Sequence, residues 1–136
     1  MTDDALRAGG DVETTAEFSV DLQPNAPDLE ATGRFDFTKA WTGGMAGTSR
    51  GLMLSAGDPA AGNAGYVALE VFDGTIDGHP GTVALQQSGL MSDGDHVLHY
   101  DLVPGSGTGS LAGIIGSVDL TIDDGTHRVV VRYSKP

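Results

Sequence analysis

Apolar and polar residues alternate along most of this chain, which is the pattern of β-strands that bury one face. In the segment ETTAEFSVDL, the apolar side chains of one face belong to Ala16, Phe18, Val20 and Leu22. The segment GRFDFTKAW repeats the pattern with Phe35, Phe37 and Trp41. Six further segments show it: TSRGLMLSA, AGYVALEVF, GTVALQQSG, HVLHYDLV, SVDLTID and THRVVVRY. The sequence therefore predicts eight strands of about 7–10 residues each.

Short turn signals separate these segments. The chain has Asp-Gly pairs, which accept positive φ at low cost, beginning at Asp73, Asp77, Asp93 and Asp124. Residues 23–29 contain two prolines and are predicted to form a loop, and helix is expected to be confined, at most, to one turn near residues 111–115. Eight antiparallel strands at regular spacing indicate an all-β barrel or sandwich. A closed barrel is favoured because it leaves no exposed sheet edge.

The composition limits the chain to one domain and excludes several classes of protein. A chain of 136 residues does not form two independent cores. With 7 basic and 19 acidic residues, its net charge of −12 repels nucleic acids and anionic membranes. Cysteine is absent, which excludes disulfides and thiol chemistry. We expect a barrel domain over residues 12–136 behind a frayed tail over residues 1–11. Without a secretory signal or a long apolar run, a cytoplasmic location is expected.

Some short motifs resemble functional signatures but lack the surroundings that those signatures require. Residues 47–51 read G-x-S-x-G, yet a nucleophile elbow is followed by a helix, and this segment lies among predicted strands. The glycine-rich segment 105–109 precedes neither Gly-Lys-Ser/Thr nor a long helix, so we interpret it as a structural connection. The four histidines lack metal-ligand spacing, and no metal or other cofactor is predicted.

Glu70 stands in the segment GYVALEVF, where its neighbours on both faces of the strand are apolar. If the face that it shares with Tyr66 and Phe72 points inward, Glu70 is a carboxylate in an apolar interior. Removing such a group from water is costly unless a donor compensates, which makes it a functional candidate. If the face of Val67 and Leu69 points inward instead, Glu70 is an ordinary surface residue. The pattern alone leaves both orientations open.

About two thirds of the chain, from Trp41 to Tyr133, resemble a bacterial family of a domain of unknown function. Members of that family carry segments such as GLERVTGTLDGRSGSFVLQHSG and WxVVPGSGTGELAGLRG. The corresponding segments here are ALEVFDGTIDGHPGTVALQQSG and YDLVPGSGTGSLAGIIG, and the match over residues 104–113 is specific. The resemblance implies the fold of allene oxide cyclase, an eight-stranded antiparallel β-barrel with an internal pocket. Dirigent proteins and spirotetronate cyclases belong to the same superfamily.

The resemblance also implies which faces point inward. The family tends to have arginine at the position of Val71, so that position faces outward and Glu70 faces inward. Period-two alternation then places Gln87 and Tyr100 inward on the next two strands. We predict that Glu70 acts as acid, base or electrostatic stabiliser, that Gln87 and Tyr100 donate hydrogen bonds, and that Glu70 can contact Gln87 if their levels match. The side chains predicted to contact a ligand are those of Trp41, Ser55, Tyr66, Phe72, Leu85, His96 and Leu98.

The chain departs from the family pattern at three of these positions. Gln87 stands where the family usually has histidine, Tyr100 where it has tryptophan, and Ser55 where it has tyrosine. Chemistry that uses that histidine as a base is therefore not available here. Smaller side chains at positions 55 and 100 would enlarge or reshape the cavity.

The resemblance implies a cofactor-independent cyclase or isomerase that acts on a largely apolar small molecule inside the barrel, with a cycloaddition or other cyclisation in bacterial secondary metabolism as the expected type. Such a barrel holds a flexible substrate in its reactive shape. Two alternatives remain open: a non-catalytic carrier or sensor of an apolar ligand, and a packed barrel with a structural role. We also expect a homodimer or homotrimer that associates through the outward row Val67, Leu69 and Val71, and neither nucleic acid nor membrane as a partner.

Overall fold

The computed structural model describes residues 11–136, and eight β-strands account for about three quarters of them. Residues 1–10 of the expected tail lie outside the described residues. The strands, named β1 to β8, are Val12–Asn25, Thr32–Gly43, Met45–Asp58, Asn63–Ile76, His79–Ser92, Asp95–Leu102, Ile115–Asp123 and Thr126–Ser134. Short 3₁₀ turns lie at Pro59–Ala61 and Gly109–Leu111. All eight predicted strands are present, and several are longer than expected.

Each strand pairs antiparallel with its neighbours in the sequence, and β1 pairs with β8, which closes the barrel. The predicted eight-stranded antiparallel barrel is therefore confirmed. Asp77, Asp93 and Asp124 have positive φ, as do the glycines that follow them, and each pair forms a hairpin turn.

Two of the turn predictions are wrong. Asp73-Gly74 lies within β4, where a Cβ on Gly74 would come 2.1 Å from the carbonyl oxygen of Ala46. This glycine therefore permits the close approach of β3 rather than a reversal of the chain. Residues 23–25, predicted to be loop, belong to β1 and pair with residues 34–36 of β2. The ladder with β2 extends past Pro24 because proline is tolerated in a strand wherever its missing N–H is not needed.

The two ends of the barrel differ in packing. At one end, which we call the packed end, the link between β6 and β7 covers the interior, and Met45, Leu111 and Ile114 are fully buried. At the opposite end, the open end, inward-facing side chains are accessible to solvent. Gln87 is half-buried there, and Leu98 is 39% exposed. The open end is therefore the end at which inward-facing side chains of the barrel contact solvent.

A gap between β6 and β7 adjoins the open end. These strands pair only at Asp101–Ser117 and Leu102–Gly116, although both continue well beyond these pairs. The backbone N–H of Val103 points to β5, since it donates to Ala84 at 2.9 Å. By alternation, the backbone groups of Leu98 and Tyr100 point into the gap. We call the space between residues 95–100 of β6 and residues 118–123 of β7 the β6–β7 gap.

Tyr133 joins the last strand to the β4–β5 turn. Its hydroxyl donates to Asp77 Oδ2 at 2.6 Å, and the Thr14 hydroxyl donates to Asp77 Oδ1 at 2.7 Å. Burial first, and then the Asp77 carboxylate, raise the pKa of Tyr133 to about 12. The folded state therefore retains the phenol proton at pH values where the unfolded chain has lost it.

We predict that removing the Tyr133 hydroxyl changes how stability depends on alkaline pH. Wild type should be more stable than Tyr133→Phe below pH ~10, by about 1–2 kcal/mol for the lost hydrogen bond. That difference should shrink as the pH rises from about 10 towards 12, because the raised folded pKa contributes stability only until the folded phenol ionises. Urea unfolding at stepped pH measures it, and a difference that stays constant from pH 8 to 12 would contradict the prediction.

The outer face of β3 and β4 carries an exposed aliphatic surface. Val67, Leu69 and Val71 are each more than half exposed, as the sequence predicted for this row, and Leu52 and Leu54 lie beside them on β3. A shallow groove of about 310 Å³ crosses this surface from Leu52 and Leu54 on β3, past Val67 and Leu69, to Gln86 and Ser88 on β5. Exposed apolar surface of this kind is typical of contacts between proteins.

The homodimer or homotrimer remains a prediction, with this aliphatic surface as its interface. We expect wild type to sediment above the 13.9 kDa of one chain at micromolar concentration. Leu69→Glu should shift it to the monomer, since a buried unpaired carboxylate is costly. The matched control is Leu29→Glu, because Leu29 is also exposed but lies in the loop between β1 and β2. A wild-type chain that sediments only as a monomer would rule the interface out.

No helix within residues 11–136 is long and apolar enough to cross a membrane.

Candidate functional site

A buried cluster of polar side chains lies in the middle of the barrel. Lys39 Nζ donates to Glu70 Oε1 at 2.8 Å and to the Tyr100 hydroxyl at 3.0 Å. The Tyr100 hydroxyl in turn donates to Glu70 Oε1 at 2.7 Å. The side chains of Lys39 and Glu70 are only 5% and 2% exposed. An amine, a carboxylate and a phenol therefore meet within hydrogen-bond distance, out of contact with bulk water.

Ser49 and Trp41 extend this arrangement. Ser49 Oγ donates to Glu70 Oε2 at 2.5 Å, and Trp41 Nε1 donates to Ser49 Oγ at 3.0 Å. The Glu70 carboxylate thus accepts from three side chains, and each of its oxygens has a donor. We call these five residues the interior polar cluster. Because its groups satisfy one another, the cluster avoids the cost of unpaired polar atoms in an apolar interior.

Strand register brings the cluster together. Lys39 on β2 is opposite Ser49 on β3, while Glu70 on β4 is opposite Gly51, two residues further along β3. A Cβ on Gly51 would lie 2.4 Å from Phe37 Cζ and 2.7 Å from Glu70 Cβ. The G-x-S-x-G motif is therefore not a nucleophile elbow. Its second glycine leaves room for the side chains of Phe37 and Glu70, and its serine supports the carboxylate.

Aromatic rings surround the Lys39 ammonium. Its Nζ lies 4.2 Å from the centre of the Phe18 ring, and the rings of Phe37, Tyr100 and Trp41 follow at 5.3, 5.2 and 5.5 Å. The faces of aromatic rings attract cations at these distances. The rings therefore attract the positive charge at this position, while their bulk excludes water from it.

Burial shifts the acid–base properties of two members of the cluster. Desolvation lowers the pKa of Lys39 from the usual lysine value, and the neighbouring Glu70 carboxylate opposes the shift. Desolvation together with the Glu70 carboxylate raises the pKa of Tyr100 well above the usual tyrosine value. Tyr100 therefore keeps its proton at neutral pH and remains a hydrogen-bond donor.

The structure separates Gln87 from Glu70. Their levels do not match, because Glu70 is opposite Leu85 whereas Gln87 is opposite Ala68. Gln87 Nε2 instead donates to the Tyr66 hydroxyl, and both side chains are half-buried. The condition for a contact between Glu70 and Gln87 is therefore not met, whereas the Tyr100 hydroxyl reaches Glu70 from two strands away.

The predicted ligand-contacting residues fall into two groups. Trp41, Phe72 and Leu85 are buried in the packed core, with exposures of 3%, 0% and 1%. The others lie towards the open end, where a ligand entering the barrel would meet them first. This second group consists of Ser55, Tyr66, His96 and Leu98.

Sequence reasoning missed Lys39 and the role of Ser49. Lys39 has the same strand parity as Phe35, Phe37 and Trp41, so a lysine within an otherwise aromatic face was the available signal. Ser49 similarly lies between two glycines on the inward face of β3. A polar residue at an inward position needs a partner, and the position opposite on the neighbouring strand is the place to look for it.

The glycine-rich link before β7 forms hydrogen bonds within the protein, as predicted for a structural connection. The Thr108 N–H donates to the Thr82 carbonyl at 2.9 Å, and the Ser106 hydroxyl accepts from the Ala84 N–H at 2.9 Å. These groups hold the link against β5. Within residues 11–136, no group of three or more His, Cys, Asp or Glu side chains is placed to hold a metal ion.

Comparison with known proteins identifies relatives that are described as proteins of unknown function. The family described as "Protein of unknown function (DUF3224)" matches residues 12–133. A crystal structure from Shewanella oneidensis MR-1, described as a protein of unknown function from the DUF3224 family, is 34% identical to this chain. The similarity covers 92% of this chain and 97% of that one, with a TM-score of 0.86. The comparison with curated proteins gives no match.

Proposed function

This chain belongs to the DUF3224 family, and we propose from its interior polar cluster that it is a cofactor-independent cyclase or isomerase acting on a largely apolar small molecule. The observation that carries the proposal is the contact of Glu70 with Tyr100 and Lys39 inside a barrel that is open at one end. An acceptor and a donor of protons thus lie side by side inside the barrel, where we propose that the apolar molecule is enclosed. The resemblance to allene oxide cyclase and its cyclising relatives supports the same proposal.

In the proposed reaction, Glu70 and Tyr100 exchange a proton with the bound molecule. The backbone of Tyr100 lies level with Gln87, nearer the open end than that of Glu70. In the proposed reaction, its hydroxyl is the first member of the cluster to contact the substrate. It donates a hydrogen bond to a substrate oxygen, and Glu70 accepts a proton from a neighbouring carbon. Lys39 holds the carboxylate in position. The surrounding rings exclude water, which strengthens each of these interactions.

The substrate would enter through the open end and the adjoining β6–β7 gap. Tyr66 and Gln87 form a half-buried polar pair on this route. They can orient one polar group of a mostly apolar molecule, as is usual in small-molecule sites. Enclosure then restricts the molecule to few conformations, and this contributes to cyclisation independently of proton transfer.

Native mass spectrometry of the purified protein is the first test of this proposal. We expect a retained apolar molecule, and incubation in D₂O should introduce deuterium at a carbon next to its oxygen-bearing carbon. Tyr100→Phe should slow this exchange by about 10²-fold, since it removes the donor but keeps the ring. A chain that never retains or binds a small molecule would contradict the proposal.

A non-catalytic carrier or sensor is the second candidate. It is favoured by the internal pairing within the interior polar cluster, where both Glu70 oxygens already have donors. A carrier needs the cavity but no available acid or base. Ligand retention without deuterium exchange or turnover would support it.

As further proposals, the protein acts in the cytoplasm and binds neither nucleic acid nor membranes, in keeping with its net charge of −12.

A further inference from the structure

Lysine is scarce in this chain, and one of its two copies lies at the centre of the barrel. The chain has only two lysines, Lys39 and Lys135, but 19 acidic residues. A lysine at the surface could have paired with one of those carboxylates without being buried. A buried ion pair is a poor source of stability, because desolvation of both charges offsets their attraction. Stability alone therefore does not explain why Lys39 is buried, and a chemical role does.

We infer that Lys39 is a carbonyl-reactive amine, which condenses with an aldehyde or ketone group of the apolar substrate and holds it as an iminium ion. The inference rests on the proposed function and narrows its substrate to carbonyl compounds. Its basis is the contact of Lys39 Nζ with two groups that can move protons, Glu70 Oε1 at 2.8 Å and the Tyr100 hydroxyl at 3.0 Å.

The condensation balances with these three side chains alone. The Lys39 ammonium gives a proton to the Glu70 carboxylate, and the free amine attacks the carbonyl carbon. The resulting oxyanion takes the phenol proton of Tyr100, and the nitrogen returns a proton to the Tyr100 phenolate. Glu70 then protonates the hydroxyl group, which leaves as water while the nitrogen lone pair forms the C=N bond. One ammonium and one carbonyl thus become one iminium and one water, and both catalytic side chains regain their starting form.

The aromatic surroundings suit both ends of this reaction. The positive charge resides on the same nitrogen before and after condensation, and four rings lie within 5.5 Å of it. They stabilise an iminium as they stabilise an ammonium. Burial, by lowering the pKa of Lys39, also increases the fraction of free amine, which is the nucleophile.

The scarcity of lysine makes the test direct. The full chain is incubated with nonanal and sodium cyanoborohydride at neutral pH, and peptide mapping by mass spectrometry locates the reduced adduct. Lys39 should be modified at least ~10-fold faster than the internal control Lys135, since positioned acid–base groups contribute on the order of 10²-fold or more. Glu70→Gln should slow modification of Lys39 but not of Lys135, and the matched control Glu30→Gln should change neither.

The fluorescence of Trp41, the single tryptophan, distinguishes failure of this inference from failure of the proposed function. Trp41 belongs to the interior polar cluster, so its fluorescence reports entry of a molecule into the barrel. The comparison uses nonanal and 1-nonanol, which share the apolar tail but not the carbonyl. If both alter Trp41 fluorescence and Lys39 is not modified preferentially, the inference is overturned while binding inside the barrel stands. If neither alters the fluorescence and Lys39 is not modified, both proposals fail. The wild-type protein decides between these outcomes, so the test does not depend on any variant folding.

Discussion

Glu70→Gln is expected to reduce proton exchange between the bound molecule and solvent by about 10²–10⁴-fold while the barrel remains folded. Glutamine has nearly the same size and can still accept from Lys39 or Ser49, but it cannot take up a proton from carbon. The register of β4 does not depend on the carboxylate, so the strand should keep its place. Deuterium incorporation from D₂O, followed by mass spectrometry of the extracted ligand, measures the effect.

The matched control for this substitution is Glu30→Gln. Glu30 is exposed in the loop between β1 and β2, outside the barrel interior. It undergoes the same chemical change without touching the interior polar cluster, so exchange should stay at the wild-type rate. Full exchange in a folded Glu70→Gln protein would remove Glu70 from the mechanism and would favour the carrier.

Lys39→Met is expected to destabilise the protein by about 3–5 kcal/mol, the largest stability change that we predict. Methionine fills a similar volume, but it leaves Glu70 buried without its cation. Because the Glu70 side chain is only 2% exposed, water cannot replace the lost donor. Urea unfolding at neutral pH, followed by Trp41 fluorescence, measures the free energy of unfolding.

The double variant Lys39→Met with Glu70→Gln tests the reason for that loss. If the penalty comes from an uncompensated carboxylate, the double variant should be more stable than the sum of the single effects predicts, by about 0.5–3 kcal/mol. Lys135→Met is the matched control, since Lys135 lies near the C-terminus beyond β8, and it should be close to neutral. Strictly additive effects would show that Lys39 and Glu70 do not depend on each other.

The effects of Glu70→Gln and Lys39→Met together distinguish a structural role of the interior polar cluster from a catalytic one. A cluster that is only structural predicts losses of stability without any carbonyl adduct on Lys39. A catalytic cluster predicts that exchange or adduct formation is lost in Glu70→Gln at conditions where the protein remains folded. Measuring both quantities on the same variants therefore determines which role the interior polar cluster has.

The barrel itself could be predicted from local pattern. Alternation with period two identifies strands because successive side chains point to opposite faces, and Asp-Gly pairs mark hairpins because both residues adopt positive φ. The same reasoning failed for Asp73-Gly74, where the glycine is required by close packing of β3 rather than by a turn. An Asp-Gly pair indicates that positive φ is allowed at these residues, but it does not indicate whether a turn or close packing of a neighbouring strand requires the glycine.

The candidate site was predicted only in part. Glu70 and Tyr100 were placed correctly inside the barrel because the resemblance to the family indicated which face points inward, and strand parity extended that orientation to Tyr100. Whether Gln87 contacts Glu70 depends on the stagger between β4 and β5, and the alternation of apolar and polar residues does not specify that stagger. Lys39 was overlooked because a lysine in an apolar strand resembles an ordinary edge or surface residue until its partner is known.

The inward orientation of the Glu70 face came from the resemblance to the family, because the pattern alone left it open. By itself, the sequence determined the all-β class, the number and order of the strands, and three of the four Asp-Gly hairpins predicted. These features follow from interactions between residues close together in the chain, or from the parity of a single strand. Tertiary structure alone decided that Lys39, Ser49 and Tyr100 converge on one carboxylate, that one end is packed while the other is open, and that β6 and β7 separate. These features depend on the stagger of strands around a closed barrel, which brings together residues 10 to 61 positions apart in the chain.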